Sequence, residues 1–151
     1  AMRTQAGIGI IEIVFVIMLL GVLAVISLPS LVSYQANRDL RHAARQLSGD
    51  LRLAQQFAVT QDEKFRLVYT AAPGSAYTIQ KSSNGSVVRA ADLPPSVTVT
   101  GSFAGTPAEF ASTGAPAVGG EFCLTNGTLI LKVDVQAATG RVQISEVTAC
   151  P

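Results

Sequence analysis

The chain has no tryptophan, one histidine (His42) and two cysteines among 151 residues, and only 14% of it is charged. So few imidazoles and thiols argue against a multi-ligand metal site or a His-centred catalytic apparatus. The search for a G-x-S-x-G elbow, a phosphate-cradling G-x-x-x-x-G-K, an H-E-x-x-H helix or a zinc-spaced cysteine cluster also comes back empty. Asp62-Glu63 is the only adjacent acidic pair, and it sits where a long helix should end, which suits a solvated helix terminus better than acid/base work. No enzyme, cofactor or metal is expected. Eleven Lys and Arg against ten Asp and Glu leave a net charge of +1, so the total writes in neither a broad polyanion-binding surface nor an acidic tail. A hydrophobic content of 48% and a mean hydropathy of +0.38 exclude a disordered chain. At this length one domain is the default.

The apolar excess is concentrated at one end. From Ile8 to Leu28 the sequence IGIIEIVFVIMLLGVLAVISL carries Glu12 as its only charge and Ser27 as its only other clearly polar side chain. As a helix, this run at ~1.5 Å per residue spans roughly 30 Å, the thickness of a bilayer hydrocarbon core. Helices of small proteins are seldom apolar on every face for so many turns, so a single membrane span is expected over residues 8–30. Arg3 on the short N-terminal side predicts that this end faces the cytoplasm. A conventional signal peptide would have small residues after the apolar stretch. Here Pro29-Ser30-Leu31 follows, and the small residue, Gly7, precedes it.

Glu12 within the span is costly, on the order of 2.5–3.5 kcal/mol at mid-helix and less near an end. It calls for a partner. A processed amino terminus at Ile8 of a neighbouring copy or subunit would supply one; the plainer alternative is a carboxyl near the interface, protonated or hydrated.

Gly7, an apolar residue, Glu12 as the fifth residue after that glycine, and an unbroken apolar helix containing Gly21 and Pro29 resemble the N-terminus of the type IV pilin and pseudopilin superfamily. The resemblance implies that residues 1–7 are a leader removed by a prepilin peptidase between Gly7 and Ile8, that Ile8 becomes N-methylated, and that Glu12 helps subunits enter a helical filament. Ile8 stands where the family usually has Phe, and Gly9 where Thr or Ser is common; the apolar character of the first position survives.

Downstream, Leu40, Ala44, Leu47, Leu51, Ala54 and Ala58 recur at spacings of 3 and 4, one face of a helix over residues 31–61. Pro29 is expected to kink it. Arg38, Arg41, Arg45 and Arg52 form a basic line beside this seam. It reads either as a docking line for acidic groups of neighbouring subunits or as a solvated face paired with Asp39 and Asp50. His42 beside it reads as a surface residue.

From residue 62 to 151 the pattern changes to short β-branched runs with Gly, Pro and Asn punctuation, predicting a β-rich head. Candidate strands are Phe65–Ala71, Ala76–Lys81, Ser86–Arg89, Ser96–Gly101, Glu121–Thr125, Thr128–Gln136 and Arg141–Val147. Asn126-Gly127 predicts a tight type I′ hairpin between two of them. Asn84-Gly85-Ser86 and Asn126-Gly127-Thr128 match the N-glycosylation pattern, but a turn explains both. Gly101 to Gly120 is expected to be a long loop with at most one short strand.

Cys123 and Cys150, on the outward side of a membrane-anchored chain, read as a disulfide stapling the C-terminal tail to the sheet, with two free thiols as the alternative.

The second half narrows the resemblance. Leu51-Arg52-Leu53-Ala54-Gln55-Gln56-Phe57-Ala58-Val59, followed by Phe65-Arg66-Leu67, is similar to the helix end and first strand of the GspH/FimT group, as is Gly140-Arg141-Val142 before a terminal Cys. The implied fold is α+β, a long N-terminal helix packed on a C-terminal antiparallel β-sheet domain. The implied function is a minor pilin or pseudopilin, a structural subunit of a type IV pilus or type II secretion pseudopilus. Its partners would be other pilins, the prepilin peptidase and the inner-membrane assembly platform. The chain would be a single-pass protein of the bacterial inner membrane, then part of a periplasmic or extracellular filament. The alternative is a pilus-borne DNA-binding or adhesive subunit. DNA-binding members carry G-R-x-R; here Gly140, Arg141, Val142 and Gln143 keep one of the two arginines, and Lys132 is the only other cation near in sequence.

Overall fold

The structure, a computed structural model, describes residues 9–70, 75–103 and 108–150, and for 26–30 the backbone alone. The expected leader, residues 1–7, and the expected cleavage and methylation position Ile8 lie outside them. Helix α1 runs from Ile10 to Gln61 and is followed by eight strands. The chain divides into two units, one ending at Gln35 and one beginning at Ala36.

In the first unit, α1 starts where Gly9 offers its carbonyl to the N–H groups of Glu12 and Ile13, at 3.0 and 3.4 Å. Glu12 sits in the first turn, where the positive end of the helix dipole favours a carboxylate. From Ile10 to Val25 every large apolar side chain is at least half exposed. Among the described residues no helix is long and apolar enough to cross a membrane; the described side chains of the apolar run stop at Val25. Pro29 is among the residues whose side chains lie outside the description, and the backbone there is helical.

The second unit has a core of its own. The helical seam Leu40, Ala44, Leu47, Leu51, Ala54 and Ala58 is fully buried, joined by Ala43. Alanines alternating with leucines let strands approach the helix closely while the leucines fill the gaps. The helix ends on Asp62, at φ +51°, and the Glu63 N–H donates back to the Ala58 carbonyl at 3.3 Å. That is a Schellman-type stop with aspartate in the left-handed position more often held by glycine.

Two antiparallel sheets pack on this helix half in one cluster. The first has the order β3-β2-β1-β5, with β1 Phe65–Thr70, β2 Ala76–Lys81, β3 Val87–Asp92 and β5 Ala108–Phe110. The second has the order β4-β6-β7-β8, with β4 Thr98–Phe103, β6 Gly120–Thr125, β7 Ile130–Val135 and β8 Val142–Val147. Strand alternation is clearest in β7, where Leu131, Val133 and Val135 are buried and Ile130, Lys132 and Asp134 face outward. Across the sheets the Tyr69 ring meets Phe122 edge-on at 5.7 Å. Its hydroxyl donates to the Gly101 carbonyl and accepts from the Gly101 N–H, both at 3.1 Å. A Cβ at position 101 would stand 2.9 Å from that ring, which is why the strand carries glycine there.

Two expectations need correction. Asp50 does not pair with the helical arginines. It is buried, accepts from the Tyr77 hydroxyl at 2.7 Å and pairs with Arg89 at 2.7 Å, pinning the helix to β2 and β3. Burial first, and the neighbouring Asp50 second, hold the Tyr77 hydroxyl protonated well above its ordinary range. The β6–β7 connection is not a two-residue type I′ turn, because the last paired residues are Thr125 and Ile130. Only Gly127 has positive φ there, and the Asn126 side chain accepts from the N–H groups of Thr128 and Leu129 at 3.0 and 2.9 Å, replacing one backbone turn with an Asx-type turn. The stretch before β6 carries one short strand, as the sequence allowed. Ala108 and Phe110 of β5 are core residues paired with β1, and Gly114, at φ +81°, seats its carbonyl on the Gln55 side chain at 2.7 Å.

Candidate functional site

Three groups of residues come into question, and the fold treats each differently. The first is Glu12, in the opening turn of α1 and surrounded by exposed apolar side chains, with no ion pair among the described residues. A carboxylate in such surroundings is not part of a core.

The second comprises the cysteines and the outer face of the second sheet. Cys123, on the outer face of β6, is disulfide-bonded to Cys150, with Cα atoms 6.1 Å apart. The tail after β8 is thus folded back over its own sheet. Closing this loop stabilises the fold by roughly 3–4 kcal/mol through the entropy removed from the unfolded chain. Replacing both cysteines with serine should lower unfolding stability by about that amount, read in a denaturant titration. Free thiols in the unreduced native protein would contradict the bond.

Lys132 and Arg141 share that outer face without forming a cationic site. The Lys132 ammonium lies 3.0 Å from a Glu121 oxygen, which holds it charged above its ordinary range. Asp134 stands on the same face, opposite Gln143. Gln143, with its amide oxygen turned to Arg141, accepts from both Nη2 and Nε at 2.9 and 3.0 Å. The position that would hold the second arginine of G-R-x-R therefore occupies the first one. Two carboxylates among two cations give this face no net attraction for phosphates.

The third group is the basic line. Arg38, Arg41, Arg45 and Arg52 are exposed along one stripe of α1. The tertiary structure adds what their spacing did not show: β8 runs beside this stripe. Arg41 pairs with Glu146 at 3.5 Å, Arg52 donates to the Val142 carbonyl at 3.4 Å, and Arg41, Ala44 and Arg45 line a groove of about 180 Å³ with Leu131 and Ile144. Glu146 could not have been identified from the helix pattern, because its place depends on the β7–β8 register. His42 is exposed beside the line. Among the described residues no group of three His, Cys, Asp or Glu is placed to hold a metal ion.

The sequence pattern of the family described as Type II transport protein GspH matches residues 43–146, more than half of the chain. Two crystal forms of the type IV minor pilin FimU from Pseudomonas aeruginosa strain PAO1 share the fold. One superposes with a TM-score of 0.63 at 19% identity, covering 76% of this chain and 97% of that one. The other gives 0.61 at 20% identity, over 74% and 100%. Comparison with curated proteins found no match. A helix seated on two antiparallel sheets, with the family pattern running from the helix into β8, places this chain in the GspH family of the type IV pilin and pseudopilin superfamily, whose members are structural, non-enzymatic filament subunits.

Proposed function

We propose that this chain is a minor pilin or pseudopilin that enters its filament through the N-terminal half of α1. The observation that carries the reading is the contrast between the two units. The head buries its own core, whereas from Ile10 to Val25 the helix leaves every large apolar side chain exposed around a single carboxylate, Glu12. Surface of that kind is stable only against lipid or against other helices of the same kind. In this reading the peptidase cuts between Gly7 and Ile8, Ile8 is methylated, and the segment spans the inner membrane with its N-terminus in the cytoplasm. The assembly platform then transfers it from lipid contacts to subunit contacts in a periplasmic or extracellular filament. Glu12 sets the register by pairing with the amino terminus of a neighbour.

Mass measurement of the chain recovered from its native envelope tests the processing step. Loss of residues 1–7 and a methyl increment on Ile8 are expected; an intact amino terminus would reduce the chain to a plain membrane-anchored β-domain.

A further inference from the structure

A net charge of +1 conceals a strong local imbalance. The exposed stripe of α1 reads Arg38, Arg41, Arg45, Gly49, Arg52, Gln56 and Val59, with β8 along its flank. Among the described residues four arginines meet one carboxylate there, Glu146, a local excess of three positive charges. Of the other six cations of the head, Lys64, Lys81, Arg89 and Lys132 each face a carboxylate within 4 Å, Arg141 is held by the Gln143 amide oxygen, and, among the described residues, Arg66 stands alone on β1, away from any cluster. Between Arg45 and Arg52 lies Gly49, in mid-helix and exposed. A Cβ at that position would meet nothing within 4 Å, so nothing among the described residues requires a glycine, and a glycine there weakens the helix. A helix that gives up a side chain on its outer face, amid arginines, is shaped for the close approach of another backbone.

Resting on the filament reading, we infer that the α1–β8 seam is the docking surface for a different, acidic-faced subunit of the same filament, whose backbone crosses at Gly49 while its carboxylates meet Arg38, Arg41, Arg45 and Arg52. A second copy does not fit. The carboxylates of this head without an ion pair among the described residues, Asp39, Asp62, Asp92 and Asp134, sit on the stripe's own helix, at its C-terminal stop, at the end of β3 and on the outer face of β7, and so present no matching cluster. A polyanion fits less well than a protein. It would press its charge against Glu146 and against the exposed Ile144 in the groove, where a mixed acidic and apolar protein face finds complements for both.

The test uses the full-length chain in its native envelope, with a photo-crosslinking amino acid replacing Gln56. A covalent adduct with a non-identical filament subunit is expected. Gly49→Leu and the double change Arg41→Glu with Arg45→Glu should each reduce it at least tenfold, while Lys64→Glu, the same kind of charge reversal off the seam, leaves it unchanged. Melting of the detergent-solubilised chain separates docking from folding: Gly49→Ala should raise the midpoint by a few degrees and Gly49→Leu should not lower it. An adduct with the chain's own copies, with nucleic acid, with no macromolecule, or one insensitive to these changes would overturn the inference. Absence of the unaltered chain from sheared filaments would instead overturn the filament reading beneath it, so the two failures are distinguishable.

Discussion

Glu12→Ala should reduce incorporation of the chain into filaments at least tenfold while leaving the head folded and the protein in the membrane. The sign of the membrane effect makes this prediction discriminating. Removing an ionised carboxylate from an apolar helix lowers the cost of lipid residence, by on the order of 2.5–3.5 kcal/mol at mid-span and less near an end. A loss of incorporation therefore cannot be traced to failed insertion. It must come from the filament side, where the carboxylate gains a positively charged partner in a low-dielectric setting and a factor of ten corresponds to ~1.4 kcal/mol. Glu12→Gln keeps the shape and one acceptor but loses the charge, and should fall with the alanine variant. The measurement is the amount of chain in sheared filaments relative to membranes. Wild-type amounts for Glu12→Ala would remove the register role.

The second large effect is expected in the head. Phe122 is fully buried, stands edge-on to Tyr69 and packs on Phe103 at 4.7 Å between ring centres. It is the place where the second sheet meets a side chain of the first. Phe122→Ala leaves a ring-sized void between elements that cannot close without unseating the Tyr69 hydroxyl from Gly101. A loss of about 3–5 kcal/mol in unfolding stability follows, with a fall in melting midpoint on the order of 15 °C. Val87, on the exposed edge strand β3, is the matched comparison, and Val87→Ala should stay within about 0.5 kcal/mol. Equal behaviour of the two variants would show that the sheets are not joined through Phe122.

Much of this architecture was legible residue by residue. The seam from Leu40 to Ala58 repeats at 3 and 4 because a helix lays one face on a core, and all six positions are buried. The strand candidates and the hairpin at Asn126-Gly127 lie near the observed strands and their pairing, since alternation and turn chemistry are local. Boundaries moved by two or three residues, as at β3 and β4, where a strand ends according to its partner's length. The sequence allowed one short strand between Gly101 and Gly120 without placing it; Ala108–Phe110 takes that place because β1 offers an open edge.

What the sequence by itself determined is the division of labour: an apolar helix with one acid, an amphipathic continuation and a β head, each set by periodicities of 3.6 and 2 that do not depend on the rest of the chain. Only the tertiary structure decided which charges are spent inside the molecule and which are left for a partner. Asp50 faces Arg89 and Tyr77, and Lys132 faces Glu121, because strands distant in sequence bring them together, while among the described residues β8 brings one carboxylate, Glu146, beside the exposed arginines of α1. Electrostatic pairing is set by distance in space, and no spacing along a chain encodes it until the sheets have closed.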